Sequence, residues 1–158
     1  MDNLDYSDFS FKSFLYTGSP LKKATLGSAG YDLISTKSVQ VEPGRIATVN
    51  TGVKVKPPYD YYFEVFIRSS WGKKGLSLAN GTGIIDSDYR GEILLIIRNN
   101  TNEVITIQEG ERIAQMIPKR NEQIFATLCT EEDFQIQVSK EKGYNMRGEG
   151  GFGSTGNK

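Results

Sequence analysis

Five short segments carry the residue types that phosphate chemistry needs. Ala29-Gly30-Tyr31-Asp32-Leu33 offers a single carboxylate between apolar neighbours. Arg68-Ser69-Ser70 follows the run Tyr61 to Ile67, and an arginine with two hydroxyls at a strand end can cradle a phosphate or form an ordinary polar turn. Gly83-Ile84-Ile85-Asp86-Ser87-Asp88-Tyr89-Arg90-Gly91-Glu92 lies between turn signals and an apolar run. Its Asp-Ser-Asp tip suits local turn hydrogen bonding, and it equally suits a base-binding hairpin with a carboxylate at its floor. Arg112-Ile113-Ala114-Gln115-Met116 reads as a strand with one inward-capable amide. The stretch from Arg147 to Gly156 holds five glycines in ten positions, with an arginine, the Phe152 ring and two hydroxyls.

That last stretch contains Gly148-x-Gly150-x-x-Gly153, formally a dinucleotide fingerprint. The fingerprint needs a strand before it and a helix after it, and the sequence stops at Lys158. Gly148-x₄-Gly153-Ser154-Thr155 also approaches a Walker loop but lacks the lysine. The chemistry survives the missing folds. Successive glycine N–H groups, two hydroxyls and Arg147 suit a flap that closes on a polyphosphate.

The chain has 158 residues, one cysteine (Cys129) and no histidine. Ser-His-Asp and Cys-His catalysis, His-ligated zinc and an intrachain disulfide are therefore excluded. Acid–base work falls to carboxylates, Lys, Tyr or an oxygen-ligated metal such as Mg²⁺, Mn²⁺ or Ca²⁺. Lys plus Arg and Asp plus Glu both number 19, which argues against a nucleic-acid grip built on bulk positive charge. The longest aliphatic run, Ile93 to Ile97, is far below the ~20 residues of a bilayer span. The acidic start, Met1-Asp2-Asn3-Leu4-Asp5, has no signal-peptide pattern. The expectation is a soluble intracellular protein of cytoplasm or nucleus, within a host cell if viral, with no membrane partner.

These groups need a scaffold, and the scaffold reads as all-β. Strand-like runs occur at 14–17, 46–49, 53–56, 61–67, 93–97, 104–107, 113–117 and 124–128, separated by Gly, Pro, Asn and Asp clusters. No stretch sustains a 3.6 period, and the best helical candidate is a turn or two within Ser69 to Leu78. Residues 1–10 are expected to fray. The expected division is a catalytic core over 1–128, a polar tether over 129–146 and a flexible Gly-rich arm over 147–158. The tether stretch Thr130 to Met146 matches none of the five segments.

In this order the five segments resemble the motifs of the trimeric dUTPases (dUTP pyrophosphatases), from about residue 22 onward. The resemblance implies a distorted jelly roll of β-clip type, assembled as a homotrimer with sites shared between subunits. The reaction implied is Mg²⁺-dependent hydrolysis of dUTP to dUMP and pyrophosphate, which keeps uracil out of DNA and supplies dUMP. Residue by residue, Asp32 resembles the aspartate that holds the metal through water. Arg68, Ser69 and Gln115 resemble phosphate ligands, with Ser70 beside them. Asn80 and the backbone of Gly83, Ile84 and Ile85 resemble the uracil contacts, and Tyr89 the platform under the deoxyribose. Asp86 resembles the residue that orients and deprotonates the attacking water. Arg147, Gly153, Ser154 and Thr155 resemble the γ-phosphate clamp, and Phe152 the ring that stacks on uracil.

The second motif departs from the family's usual Pro-Arg-Ser-Gly-Leu: Ile67 replaces the proline, Ser70 the glycine and Trp71 the leucine. The alternatives are a dCTP deaminase-like nucleotide enzyme, a non-catalytic dUTP-binding regulatory protein, and a plain β-sandwich binding or capsid module. Retention of all five motifs favours turnover of dUTP.

Overall fold

The computed structural model describes residues 13–122 and 124–140. The expectations for residues 1–10 and for the Gly-rich arm, including Arg147, Phe152, Gly153, Ser154 and Thr155, lie outside the described residues. The chain divides into two compact units, residues 1–123 and 124–158.

The first unit is built of strands: β1 Leu15–Gly18, β2 Tyr31–Ile34, β3 Val39–Val41, β4 Ile46–Asn50, β5 Val53–Lys56, β6 Tyr61–Ile67, β7 Leu76–Leu78, β8 Gly83–Ile85, β9 Leu94–Asn99, β10 Ile105–Ile107 and β11 Arg112–Arg120. One short helix, α1 Ser69–Lys73, interrupts them. Alternation explains the strands. In β5, Val53 and Val55 are buried and Lys54 and Lys56 exposed; in β9, Leu95, Ile97 and Asn99 are buried and Leu94, Ile96 and Arg98 exposed.

Pairing is antiparallel and nested: β2 with β11, β3 with β10, β4 with β9. An early strand thus meets its partner across the intervening chain, as in a jelly roll wound from a long antiparallel ribbon. The larger sheets run β2-β11-β6-β8 and β4-β9-β7. Both feed one core, with Leu33, Phe63, Val65, Ile113 and Met116 from the first and Val49, Leu76, Leu95 and Ile97 from the second. Among the described residues, no buried side-chain polar atom lacks a partner; Asn99 Nδ2, for example, donates to the carbonyls of Val41 and Glu103, at 2.8 and 2.7 Å.

Three expectations are corrected. Residues 124–128 form no strand; Ile124, Phe125 and Leu128 are largely exposed, because an apolar run without a neighbouring strand makes no ladder. A helix of ten residues, α2 Glu131–Lys140, occupies part of the stretch read as non-helical. Its reason is local: Thr130 Oγ1 accepts from the Asp133 amide at 3.1 Å, with Glu131, Glu132 and Asp133 in the first turn and Lys140 in the last. Finally, the segment from Gly83 to Gly91 is not a self-paired hairpin. β8 pairs with β6, while β9 pairs with β4 and β7, so the segment crosses from one sheet to the other.

Candidate active site

Asp32 sits in the middle of β2, opposite Gln115 of β11 in the ladder. Gln115 in turn lies opposite Phe66 of β6, two residues before Arg68. Arg68 ends that strand: its amide donates to the Ile113 carbonyl at 2.9 Å, and its extended backbone caps α1. Three strands therefore deliver Asp32, Gln115 and Arg68 to one place.

The carboxylate of Asp32 is gripped from two sides. Arg68 Nη1 donates to Oδ1 at 2.5 Å and Arg112 Nη1 to Oδ2 at 3.1 Å. The Asp32 side chain is only 13% exposed, and the two guanidinium groups partner both of its oxygens there. A cavity of about 210 Å³ opens beside it, lined by Ala24, Ser28, Gly30, Asp32, Arg68, Ser69 and Gln115. Gly30 sits in tight packing: a Cβ there would lie 3.0 Å from the Ile117 side chain and 3.1 Å from the Met116 carbonyl oxygen, so a larger residue would force the neighbours to shift. Ser70 does not line this cavity. It lines a neighbouring cleft with Arg68, Trp71, Lys74, Gly110, Glu111 and Arg112.

A second cavity, of about 200 Å³, gathers the third motif: Asn80, Gly83, Ile84, Ile85, Asp86 and Tyr89, together with Glu92, Ile93 and Leu94. Gly83 lies tight on β6, where a Cβ would approach that of Val65 to 3.1 Å. The Tyr89 amide donates to the Asp86 carbonyl at 3.2 Å, closing the turn, and Arg90 Nη1 donates to the carbonyls of Ser87 and Tyr89. The Tyr89 ring folds back over Gly91, where a Cβ would fall 2.3 Å from its hydroxyl oxygen. That hydroxyl donates to the Glu92 carbonyl at 2.9 Å. The Glu92 carboxylate is anchored in turn by the Gly52 amide at 2.8 Å and by Asn50 Nδ2 at 3.3 Å. Asp86 is exposed, and it also lines a larger cleft with Lys56, Tyr59 and Arg90.

The two cavities have no lining residue in common. A single chain thus presents two separate pockets, one around Asp32, Arg68, Ser69 and Gln115 and one around the third motif. The sequence reading assigned no role to Arg112, Glu92 or Ser28, which support or line these pockets. Arg112 grips Asp32, Glu92 holds Tyr89, and Ser28 lines the anion-type cavity. Arg112 lies opposite Ile34, which shares a strand face with Asp32, so its signal resides in the register of β2 against β11. No group of three or more His, Cys, Asp or Glu side chains suited to a metal ion occurs among the described residues.

Comparison with known proteins gives one answer. The dUTPase family profile matches residues 18–156. The deoxyuridine 5'-triphosphate nucleotidohydrolase of Desulfitobacterium hafniense is 42% identical over 137 residues, covering 84% of each chain. That of Rickettsia akari is 38% identical over 144 residues, covering 89% of this chain and 90% of its own. Among solved structures, the dUTPase of Streptococcus mutans superposes with a TM-score of 0.66 at 30% identity, covering 70% of this chain and 98% of that one. A mutant of the Staphylococcus bacteriophage 80alpha dUTPase with dUpNHpp superposes with a TM-score of 0.72 at 25% identity, over 92% of this chain and 99% of that one.

Proposed function

The chain belongs to the dUTPase family and hydrolyses dUTP to dUMP and pyrophosphate; from that premise we propose how its own residues divide the work. The deaminase, non-catalytic and capsid-type alternatives fall with the family assignment. The observation that carries the division of labour is the gathering of Asp32, Arg68, Ser69 and Gln115 around one cavity and of Asn80, Gly83, Ile84, Ile85, Asp86 and Tyr89 around another.

The triphosphate lies in the first cavity. Arg68 and the Ser69 hydroxyl bind its oxygens, Gln115 donates its amide hydrogens, and Ser70 lends a hydroxyl from the adjoining cleft. The base lies in the second. Backbone groups of Gly83 to Ile85 and the Asn80 amide read its polar edge, so a cytosine edge leaves buried donors or acceptors unpaired. The Tyr89 ring, held over Gly91, lies flat under the sugar and leaves no volume for a 2′-hydroxyl. Asp86 orients a water for attack on the α-phosphorus and accepts its proton as the bond to the β-phosphate breaks, freeing pyrophosphate.

The donor set fits Mg²⁺ in one particular way. A lone carboxylate already holding two guanidinium groups does not build a protein cage. Its remaining lone pairs suit the water shell of a cation that arrives on the triphosphate, the manner in which hydrated Mg²⁺ is usually held. When bound, Mg²⁺ supplies charge neutralisation on the triphosphate.

Two separate pockets on one chain support a homotrimer whose sites join the Asp32 pocket of one subunit to the third-motif crossover of another. The outward face of the β4–β9 pair supports this too. Ile46, Leu94 and Ile96 stand there roughly half exposed, an apolar face that neighbouring copies would cover. Arg147, Gly153, Ser154 and Thr155 would clamp the γ-phosphate and Phe152 would stack on uracil, closing the arm over the site. The chain operates without direct nucleic-acid contact. Among the described residues no helix is long and apolar enough to cross a membrane.

The testing experiment is product analysis on a panel of deoxynucleoside triphosphates with and without Mg²⁺. Equimolar dUMP and pyrophosphate from dUTP alone, only with Mg²⁺, is expected. Ammonia release from dCTP, or unchanged turnover in chelator, would contradict the reading.

A further inference from the structure

Trp71 replaces the leucine usual at its place in the second motif, and its indole makes a bond that leucine cannot. It is the only tryptophan of the chain and is 4% exposed. Its Nε1–H donates to the Arg112 carbonyl at 3.0 Å. That carbonyl lies where β11 begins and where its register against β2 shifts between Arg112 and Ala114. A register shift of this kind disrupts regular ladder pairing locally, as a β-bulge does. The indole gives the carbonyl at that point a side-chain donor. The ring is itself fixed, buried against the core and with the Lys74 ammonium 4.1 Å from its centroid.

The backbone that the indole holds is the one that aims a guanidinium at Asp32. The Arg112 side chain is 54% exposed, so surrounding packing does little to direct it. Its reach to Asp32 Oδ2 depends on where the bulge places its Cα. Asp32 then has one oxygen on Arg68, fixed by the amide of Arg68 on Ile113, and the other on Arg112, fixed by Trp71. Leucine at position 71 would fill volume and leave the Arg112 carbonyl without this donor.

We propose that Trp71 is a positioning residue for nucleotide binding: through its indole N–H it holds the β11 bulge so that Arg112 keeps Asp32 oriented toward the metal–triphosphate. The proposal rests on the placement of the triphosphate beside Asp32.

The test is a double-mutant cycle read by calorimetric binding of dUpNHpp with Mg²⁺ to the full chain, alongside KM and kcat for dUTP. Trp71→Phe keeps an aromatic ring and loses the N–H. Because it also changes ring size, a second protein carries 3-benzothienylalanine at the sole tryptophan position, in which sulfur replaces N–H at nearly constant shape. Loss of one buried donor to a carbonyl is expected to weaken Kd about tenfold in both, with KM rising in step and kcat within about threefold. Arg112→Ala is expected to weaken Kd by a similar factor. In the Arg112→Ala background, loss of the N–H is expected to add less than about twofold, because its effect runs through that side chain. If the isostere binds dUpNHpp like the parent, or if the two losses multiply, Trp71 only fills the core and the proposal is overturned. If Arg112→Ala and Asp32→Ala both leave Kd unchanged, the placement of the triphosphate itself fails, which is a distinguishable result.

Discussion

Arg68 Nη1 reaches Asp32 Oδ1 at 2.5 Å across 36 residues of sequence. The contact ties the first motif to the second. With Arg112 on the other oxygen, it also leaves Asp32 the charge centre of the anion-type cavity.

Asp32→Asn is expected to separate two affinities. The amide removes a negative charge that opposes the triphosphate, so binding of metal-free dUTP, measured in chelator, should hold or strengthen. The stimulation by Mg²⁺ should be lost, with turnover falling at least about a hundredfold. A variant that keeps both its Mg²⁺ response and its rate would remove Asp32 from the metal's water shell.

Asp86→Asn keeps shape and hydrogen bonding but accepts no proton. Turnover is expected to fall by ~10²–10⁴-fold, with dUpNHpp affinity within about tenfold. Single-turnover kinetics check this, and a rate near that of the parent would sink the assignment of Asp86 as base.

Sugar discrimination should track the seat of the Tyr89 ring. Tyr89→Ala is expected to lower the dUTP:UTP preference, and Gly91→Ala to lower it as well, because the new Cβ would fall 2.3 Å from the Tyr89 hydroxyl and must displace the ring. Glu92→Ala should act in the same direction through the lost bonds from the Gly52 amide and Asn50, with Glu92→Gln restoring an acceptor. The ratio of kcat/KM for the two nucleotides is the readout; an unchanged ratio in all of them would refute the platform role.

The parts legible in the sequence were those whose signal is local. The runs 53–56 and 61–67 match β5 and β6 end to end, because two-residue alternation and β-branched or aromatic composition lie within each run. β3, β7 and β8 hold only three residues, too few for alternation to register, and β2 carries no polar–apolar alternation of its own. The run 124–128 has strand composition without a strand neighbour, while α2 draws on its Thr130 cap and end charges, which an apolar-periodicity reading does not weigh. The same divide holds in the site. The motif segments are local and visible in the sequence, yet Arg112 on Asp32 depends on a ladder joining positions 80 residues apart, and Glu92 on a turn 40 residues away.

Removing residues 147–158 is expected to leave a folded but nearly inactive protein, since the last core strand ends at Arg120. Circular dichroism and a pyrophosphate-release assay check both halves; a truncated chain that keeps most of its rate would leave the arm without a catalytic role.

Complementation tests most directly whether one chain carries halves of two different sites. Arg68→Ala disables the anion pocket and Asp86→Asn the hairpin. The two inactive proteins are unfolded together at equal amounts, refolded, and assayed for pyrophosphate release, with mixed assembly confirmed by mass. If each site takes its pocket from one subunit and its hairpin from another, a working site needs the pocket of an Asp86→Asn chain and the hairpin of an Arg68→Ala chain. Random assortment supplies that pair in about a quarter of the sites, so activity should return to about a quarter of the parent's. If pocket and hairpin belong to the same chain, every site carries one defect, and mixed assemblies without activity would contradict the shared-site account.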